Sequence, residues 1–357
     1  MQFVLHARPF VVAAIVGVVL SGAGCDDASP PCSGVQVPSG NSIQQHVDSH
    51  PTGTTFCLSG TYTGTVRPKQ GQRFFGPAVF DGANNVTRAF VGNARSVTIG
   101  WLEIRNYSSP LQVGAIDPDL SAAGWVLIEL NVHHNYGAGI STANGMRVLG
   151  GKVNHQGQLG IAGRRANDVV IDGTEIAYNN TRNTSCQFEA GGYKWVGERV
   201  TVRDAWVHHN RCKGLWSDID GAGAIIENNL IEDNDHEGIF YEISHDGVIR
   251  NNTVRRNGFK TNGTTCAWLW GGGITIASSD GVEIYGNRLE NNCNGITGTQ
   301  QDREGHVLDR IHVRDNHVTG GGRSGVVEDN DANLDARDIV FESNTWSGGH
   351  RYCSTNC

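Results

Sequence analysis

A repeat of about two dozen residues constrains the fold of this chain more than any other feature. The segments WVHHN, LIEDN, TVRRN and RLENN end at Asn210, Asn234, Asn257 and Asn292, in steps of 24, 23 and 35 residues. Repeats of roughly 20–29 residues built from short strands are typical of solenoids, in which each coil buries its apolar side chains only against its neighbours. The longest step therefore contains an insertion, and the leucine pattern of leucine-rich repeats is absent.

Two further series recur along the same stretch. One series is a Gly followed by Ile or Leu, found at Gly139-Ile140, Gly160-Ile161, Gly214-Leu215, Gly238-Ile239, Gly273-Ile274 and Gly295-Ile296. The other is a second set of Asn residues, found at Asn229, Asn252, Asn287, Asn316 and Asn344. Asn at a fixed turn position suits left-handed backbone and can hydrogen-bond along a stack of coils. With 48 Gly and 9 Pro, the pattern predicts an all-β chain, a right-handed parallel β-helix with three short sheets per coil.

Two longer segments carry a family resemblance. SIQQHVDSHPTGTTFCLSGTYTG and the following GQRFFGPAVFDGA are similar to the N-terminal cap of pectate-lyase-like β-helix proteins, which implies a capping helix at residues 42–47. GLWSDID and IEDNDHEGIFYEISHDGVIRNNTVRRNG resemble bacterial secreted β-helix repeat proteins. The resemblance covers roughly residues 34–350. It implies the fold more strongly than the chemistry, because this fold hosts lyases, hydrolases, epimerases and non-enzymes.

The N-terminus reads as a targeting segment. Arg8 precedes an apolar run at residues 10–20, which is short for a membrane span and typical of a signal peptide. The following Gly-Ala-Gly-Cys resembles a bacterial lipobox, which implies that Cys25 is lipidated. We therefore expect an outer-membrane or cell-surface lipoprotein, and otherwise a secreted or periplasmic protein.

The chain after the targeting segment is predicted to hold one large domain. Residues 1–25 are the signal peptide with its lipobox Cys, residues 26–33 a tether, and residues 34–357 the β-helix domain. A formal charge of −8 argues against nucleic acid as a partner, which would require a basic face. We expect a monomer whose partner is a polysaccharide.

The cysteines predict four disulfides. Nine Cys minus Cys25 leave eight, an even number that favours pairing in an exported chain. Two of the spacings, 26 and 27 residues, are close to one repeat. The expected pairs are Cys32–Cys57, Cys186–Cys212, Cys266–Cys293 and Cys353–Cys357.

One sheet face concentrates charged and aromatic residues. Each Gly-apolar pair marks the register, and alternate residues then point outward. The first outward column is Ser141, Ala162, Lys194, Trp216, Phe240, Thr275 and Thr297, and the second is Ala143, Arg164, Val196, Asp218, Glu242, Ala277 and Thr299. Asp220 lies in a third column. The middle coils thus collect charges on an otherwise small and neutral face, which indicates a site.

Two insertions enter just before this sheet. One contains Cys186 and the other contains Cys266, Trp268 and Trp270. Loops lengthened on one side, each with a disulfide, are expected to form the walls of a cleft. We expect Trp216 and Phe240 to be exposed in it and, with Trp268 and Trp270, to bind sugar rings.

Three chemistries remain open at this stage. In a polysaccharide lyase acting on a uronate-containing glycan by β-elimination, Ca²⁺ on Asp218, Asp220 and Glu242 would neutralise the carboxylate, Arg164 would assist and Lys194 would be the base. In a glycoside hydrolase, Asp218 and Glu242 would form the carboxylate pair. A non-catalytic glycan-binding or structural β-helix on the cell surface is the third possibility. The family resemblance favours the lyase, because it implies the combination of Ca²⁺ with a Lys or Arg base that is frequent in β-helix lyases.

Overall fold

A computed structural model describes residues 32–40, 43–261, 266, 268–329, 336–348 and 350–351. The predicted lipidation site Cys25 and the predicted pair Cys353–Cys357 lie outside these residues. Within the described part, no helical segment combines the length and apolar character that a membrane crossing requires.

Parallel strands build three faces that wind around one core. Four strands belong to the cap and the opening coils outside the third face: Val35–Pro38, Thr55–Tyr62, Arg73–Asp81 and Thr98–Arg105. The first face continues with Val126–Ile128, Arg147–Leu149, Val170–Asp172, Thr201–Arg203, Ile225–Glu227, Val248–Arg250, Asp280–Tyr285, Asp309–Arg314 and Arg337–Glu342. The second face comprises Asn131–His133, Lys152–Asn154, Glu175–Ala177, Trp206–His208, Leu230–Glu232, Thr253–Arg255, Arg288–Glu290, His317–Thr319 and Thr345–Ser347.

The third face is a separate ten-stranded sheet, and it carries the predicted site. Its strands are Phe90–Gly92, Gly114–Pro118, Ala138–Ser141, Leu159–Ala162, Gly191–Trp195, Lys213–Ser217, Ile239–Glu242, Gly272–Ala277, Asn294–Gln300 and Val326–Asp329. A short pair, Arg323–Ser324 with His350–Arg351, completes the strands of the described residues. The predicted all-β architecture of three sheets per coil is confirmed.

The short strands follow from a three-residue pattern. In Thr253–Arg255 the central Val254 is fully buried while its neighbours are partly exposed, and the same alternation recurs in the second face. A β-branched residue between two polar ones favours this half-buried pleat. Stacked central residues such as Val207, Ile231 and Val254 then form a continuous core.

A short helix covers the N-terminal end of this core. It spans Ile43–Ser49, close to the predicted residues 42–47, and buries Ile43 and Val47. The Nζ of Lys69 donates hydrogen bonds to the carbonyls of Asp48 and His50, which fixes the helix end to the first coils.

Asn side chains form two ladders at the turns. In one, the backbone N–H and side-chain amide of Asn234 both donate to Oδ1 of Asn257, and Asn257 donates in the same way to Asn292. The expected stacking is therefore confirmed, but the expected left-handed position is wrong. Positive φ falls on the residue before each Asn, for example 54° at Asp233 and 55° at Arg256. That turn directs the Asn side chain inward, where it satisfies buried backbone carbonyls.

Three of the four predicted disulfides are present. Cys32–Cys57 joins the N-terminal strand region to the first coils, and the other two, Cys186–Cys212 and Cys266–Cys293, each tie an inserted loop to a neighbouring coil. A spacing close to one repeat brings two Cys together because one coil later the chain returns to the same edge of the solenoid.

Asn257→Ala should lower the free energy of unfolding by about 2–4 kcal/mol, because it leaves buried partners such as the carbonyl of Ile231 unsatisfied at about 1–3 kcal/mol each. Urea unfolding of the variant measures this loss. Asn131→Ala, at an exposed strand position, is the matched control and should change stability by less than about 0.5 kcal/mol. Equal losses in both variants would contradict a structural role for the ladder.

Candidate functional site

A cleft of about 440 Å³ lies over the third face. The inserted loops contribute two walls, as predicted, and a third wall comes from the segment after Gln300, which sequence reasoning missed. Its lining is Cys186, Gln187, Lys213, Trp216, His236, Glu237, Phe240, Glu242, Thr261, Trp270, Gln301 and Arg303. The volume is that of a small-ligand pocket.

The register predicted for the first outward column is confirmed at every step. Ser141 pairs with Ala162, and the column then continues through Lys194, Trp216, Phe240, Thr275 and Thr297. The second column is confirmed from Glu242 through Ala277 to Thr299. Strand alternation therefore holds wherever the third face is regular.

The second column fails where the strands have already ended. Ala143 is fully buried in the core rather than outward. Arg164 has a φ of 41°, and its Nη2 lies 2.7 Å from the carbonyl of Pro118 and 3.3 Å from the Asp117 carboxylate. It thus reaches back toward earlier coils and makes no contact of this kind with Lys194, Asp218 or Glu242. The inclusion of Arg164 in the site is wrong, because alternation does not extend past the strand end.

Lys194 and Asp218 form a buried ion pair beside the cleft. Their side chains are about 5% exposed, and Nζ lies 2.6 Å from Oδ2 of Asp218. The same Nζ donates to the Phe188 carbonyl and to Glu189, each at 2.9 Å, and lies 3.7 Å from the centre of the Trp216 ring. With three acceptors around it, this ammonium fastens the first inserted loop to the sheet. Neither residue lines the cleft.

Trp216 and Phe240 line the cleft but are not the exposed platform that was expected. Each is only 3% exposed, because the inserted loops and Trp270 cover them. Trp270 packs its ring against Phe240 at 5.9 Å, at the wall of the cleft. Trp268 is 41% exposed outside the cleft lining, with the Arg323 guanidinium 3.8 Å from its ring centre. The aromatic residues therefore build the floor and one wall.

Lys213, His236 and Glu237 are functional candidates that the column argument did not assign. Lys213 Nζ lies 4.3 Å from the centre of the Trp216 ring, 3.9 Å from the Glu237 carboxylate, and donates to the Cys186 carbonyl at 2.9 Å. Burial lowers the pKa of Lys213, although nearby carboxylates oppose the shift. Burial also lowers the pKa of His236. Lys213 is the first residue of its strand, and His236 and Glu237 precede the strand Ile239–Glu242, so strand alternation does not identify them. The available signal is that all three lie just before a Gly-apolar pair.

Glu242 is the carboxyl group with the most distinctive surroundings in the cleft. Its Oε2 accepts a hydrogen bond from the Trp216 indole at 3.1 Å, and its Oε1 lies 2.9 Å from Arg303. Burial raises the pKa of Glu242, and repulsion by Asp218 adds to the increase, while Arg303 and Lys213 oppose it. A carboxyl group held toward its protonated form beside cations can donate a proton at mildly acidic pH.

The predicted calcium ligands do not come together. Asp218 is paired with Lys194, and Glu242 with Arg303 and Trp216. Ile219 and Asp220 both have positive φ, which turns the Asp220 carboxylate toward His245 and His306 instead. In the described part of the chain, Asp220, His245 and His306 are the one group of three whose ligand atoms lie within 4.8 Å of one another. Protein cations, rather than a shared oxygen-ligated ion, relieve the repulsion among the acids.

Comparisons with known proteins agree with the solenoid fold. Residues 120–271 match the family model described as right handed beta helix region. The chain folds as a right-handed parallel β-helix. This confirms the expected right-handed parallel β-helix fold. No curated protein matches the chain in sequence.

Several solved structures are similar to the chain at low sequence identity. A mannuronic acid specific polysaccharide family 6 lyase from human gut microbiota superposes with a TM-score of 0.54 at 11% identity, covering 89% of this chain and 81% of that one. The A-module of mannuronan C-5 epimerase AlgE6 from Azotobacter vinelandii gives 0.48 at 14% identity, covering 84% and 81%. PfbA, a surface adhesin of Streptococcus pneumoniae, gives 0.45 at 12%, covering 87% and 89%.

Lys194→Met should lower stability by about 3–5 kcal/mol, because it leaves the Asp218 carboxylate buried without its cation. The double variant Lys194→Met/Asp218→Asn should recover part of this loss, and urea unfolding of the four proteins gives the coupling. Lys152→Met is the control, since its pair with Glu175 is exposed and contributes about 0–1 kcal/mol. Additive losses at Lys194 and Asp218 would refute the buried pair.

Proposed function

We propose that this protein is an exported polysaccharide lyase that cleaves a uronate-containing glycan by β-elimination in the cleft. The observation that carries the proposal is the arrangement around Glu242, a buried carboxyl group with a raised pKa that faces the same cleft as the cations Arg303 and Lys213. Such a site suits an anionic sugar, because the cations can bind its carboxylate and burial makes Glu242 easier to protonate.

Elimination first requires the uronate carboxylate to be neutralised. In the proposed complex the Arg303 guanidinium binds this carboxylate through its fork of N–H donors, and the Lys213 ammonium adds positive charge from the cleft floor. The proton on the carbon next to the carboxylate then becomes acidic. Asp218, Asp220 and Glu242 do not form the oxygen-ligand set that Ca²⁺ would need, so no step is assigned to that ion.

The proposed base is His236. Burial lowers its pKa, so its imidazole is neutral near pH 7 and can accept a proton. The Lys194 amine, the base expected from sequence, is already surrounded by Asp218, Glu189 and the Phe188 carbonyl. We assign Lys194 a positioning role instead.

Glu242 is the proposed acid. His236 takes the proton at C5, the C4–O bond to the leaving sugar breaks, and the electron pair of the C–H bond becomes the C4–C5 double bond. Glu242 gives its proton to the departing oxygen. The products are a shortened chain and an unsaturated uronate, and a proton exchange with water restores both side chains.

Glu242→Gln and His236→Asn should each lower kcat by about 10²–10⁴-fold, the usual contribution of general acid–base catalysis. The assay follows the ultraviolet absorbance of unsaturated products from a panel of uronate-containing and neutral polysaccharides. Arg199→Gln is the control, because Arg199 is exposed and pairs with Asp168 on another part of the solenoid. Full activity in both cleft variants would reject the assigned acid and base.

The pH dependence follows from the two pKa shifts. His236 acts as a base only after it has lost its proton, so activity should rise with pH through its pKa, which burial lowers below the ordinary histidine value. Glu242 acts as an acid only while it is protonated, so activity should fall again through its pKa, which burial raises above the ordinary glutamic acid value. The optimum is therefore expected on the acidic side of neutrality. A pH–rate profile measures it, and a rate that keeps rising into alkaline pH would contradict Glu242 as the acid.

A glycoside hydrolase is a second candidate, favoured by the presence of two carboxyl groups in the cleft. Glu242 would be the acid, and Glu237, which is 1% exposed and 3.9 Å from Lys213, would be its partner. The Asp218/Glu242 pair expected from sequence does not fit, because Asp218 is neutralised by Lys194 away from the cleft lining. New reducing ends without unsaturated products would select this function. Glycan binding without turnover would instead select the non-catalytic role.

We further propose export and lipid anchoring through Cys25. The three disulfides support export, since such bonds persist in oxidising compartments. Cys25→Ser should move the protein from the membrane fraction to the soluble exported fraction. Expression in a bacterial host and immunoblotting of the two fractions measure this change. Retention of the variant in the membrane fraction would reject the anchor.

A further inference from the structure

A second group of polar side chains converges outside the cleft lining. Asp220 follows the strand Lys213–Ser217, His245 follows Ile239–Glu242, and His306 lies in the loop after Asn294–Gln300. Their ligand atoms all lie within 4.8 Å of one another. Three segments far apart in the sequence thus direct two imidazoles and one carboxylate to a common point.

We propose that Asp220, His245 and His306 bind a divalent transition-metal ion of the zinc type. The Nε2 atoms of both His residues lie 3.7 Å from the same Oδ1 of Asp220. This is too long for a hydrogen bond. It is close to the separation of about 3.3–3.5 Å between ligand atoms that lie about 2.0–2.2 Å from a tetrahedral ion.

The surroundings orient these ligands. Nδ1 of His245 is hydrogen-bonded to the Asp280 carboxylate, which in turn contacts Arg310. A carboxylate on the far nitrogen of a metal-bound imidazole is a frequent arrangement, because it fixes the tautomer and aims the other nitrogen at the ion. The rings of His245 and His306 are stacked at 5.7 Å, which keeps both Nε2 atoms on the same side.

The donor set selects the class of ion. Two imidazole nitrogens suit Zn²⁺ and its first-row neighbours, whereas Ca²⁺ prefers six or more oxygens. Three protein ligands leave further positions for water. The site therefore shares only Asp220 with the oxygen-ligated site expected from sequence, and its chemistry is different.

Metal binding would also shape the cleft. His306 and Arg303 belong to the same short loop, and the His306 N–H donates to the Arg303 carbonyl at 2.9 Å. Arg303 in turn contacts Glu242 at 2.9 Å. An ion that joins His306 to Asp220 and His245 fastens this loop to two other coils and so fixes the guanidinium at the cleft wall.

Calorimetric titration of the chelator-treated full chain with Zn²⁺ tests the proposal. We expect saturable 1:1 binding that is lost in His245→Ala and in His306→Ala. Asp280→Asn should weaken it by about 10–100-fold, as removal of an orienting carboxylate does. His312→Ala is the matched control, because His312 also lies between two carboxylates, Glu283 and Glu342, but outside the group; its affinity should equal that of the unmodified protein.

Two further measurements keep the outcome decisive. Co²⁺ should give visible absorption bands that Asp220→Asn shifts or removes, and Zn²⁺ should slow hydrogen exchange at residues 301–308. Absence of saturable binding, or binding that survives both His substitutions in folded protein, would overturn the site. Since these readouts measure binding, they remain valid if the chain shows no turnover of any polysaccharide.

Discussion

In-register stacking of coils is the constraint on which the rest of the molecule depends. Each strand pairs only with the strands one coil before and after it, about 4.8 Å away. The ladder from Asn210 to Asn292 ties the turns in the same register, because each Asn side chain donates to Oδ1 of the next Asn and to a backbone carbonyl of the preceding coil. A shift by one residue would turn the buried Val and Ile side chains outward and break these bonds at once. Side chains on the outer face are therefore held in columns whose spacing the backbone sets.

That spacing forces charged residues together in the middle of the third face. Lys194 and Trp216 are direct neighbours between coils, Asp218 follows Trp216 in the same coil, and Glu242 lies in the next coil. Buried acids at such separations need compensating cations. Lys194 and Arg303 supply them from two sides. The compensation is unequal, because Asp218 holds a close ion pair while burial raises the pKa of Glu242, and this inequality leaves one carboxyl group able to give up a proton.

The periodic part of this architecture could be predicted from sequence, and the irregular part could not. Repeat spacing and strand alternation located the column from Ser141 to Thr297, and the Cys spacing located three disulfides. Alternation holds only while the backbone is extended. At Arg164 and Asp220 a positive φ reverses the side-chain direction, so both were misplaced. Loop residues such as Arg303 carry no periodic signal, and neither does the burial that the inserted loops impose on Trp216.

The loops therefore determine what a regular sheet can do. Without the loops, Trp216 and Phe240 would be exposed on the third face. The pKa of Glu242 would then lie closer to that of a solvated glutamic acid, because burial is the main cause of its increase. The disulfide-tied loops bury both rings, and the Cys186 carbonyl of the first loop holds the Lys213 ammonium beside them. The loop with Arg303 and His306 adds the opposing wall, and it is anchored where Gln300 accepts from the N–H of Leu308 and donates to the carbonyl of His306. The solenoid fixes the distances between side chains along its axis, while three loops set the burial and the charge around them. Changes in those loops can therefore alter the chemistry of the cleft without disturbing the coils beneath.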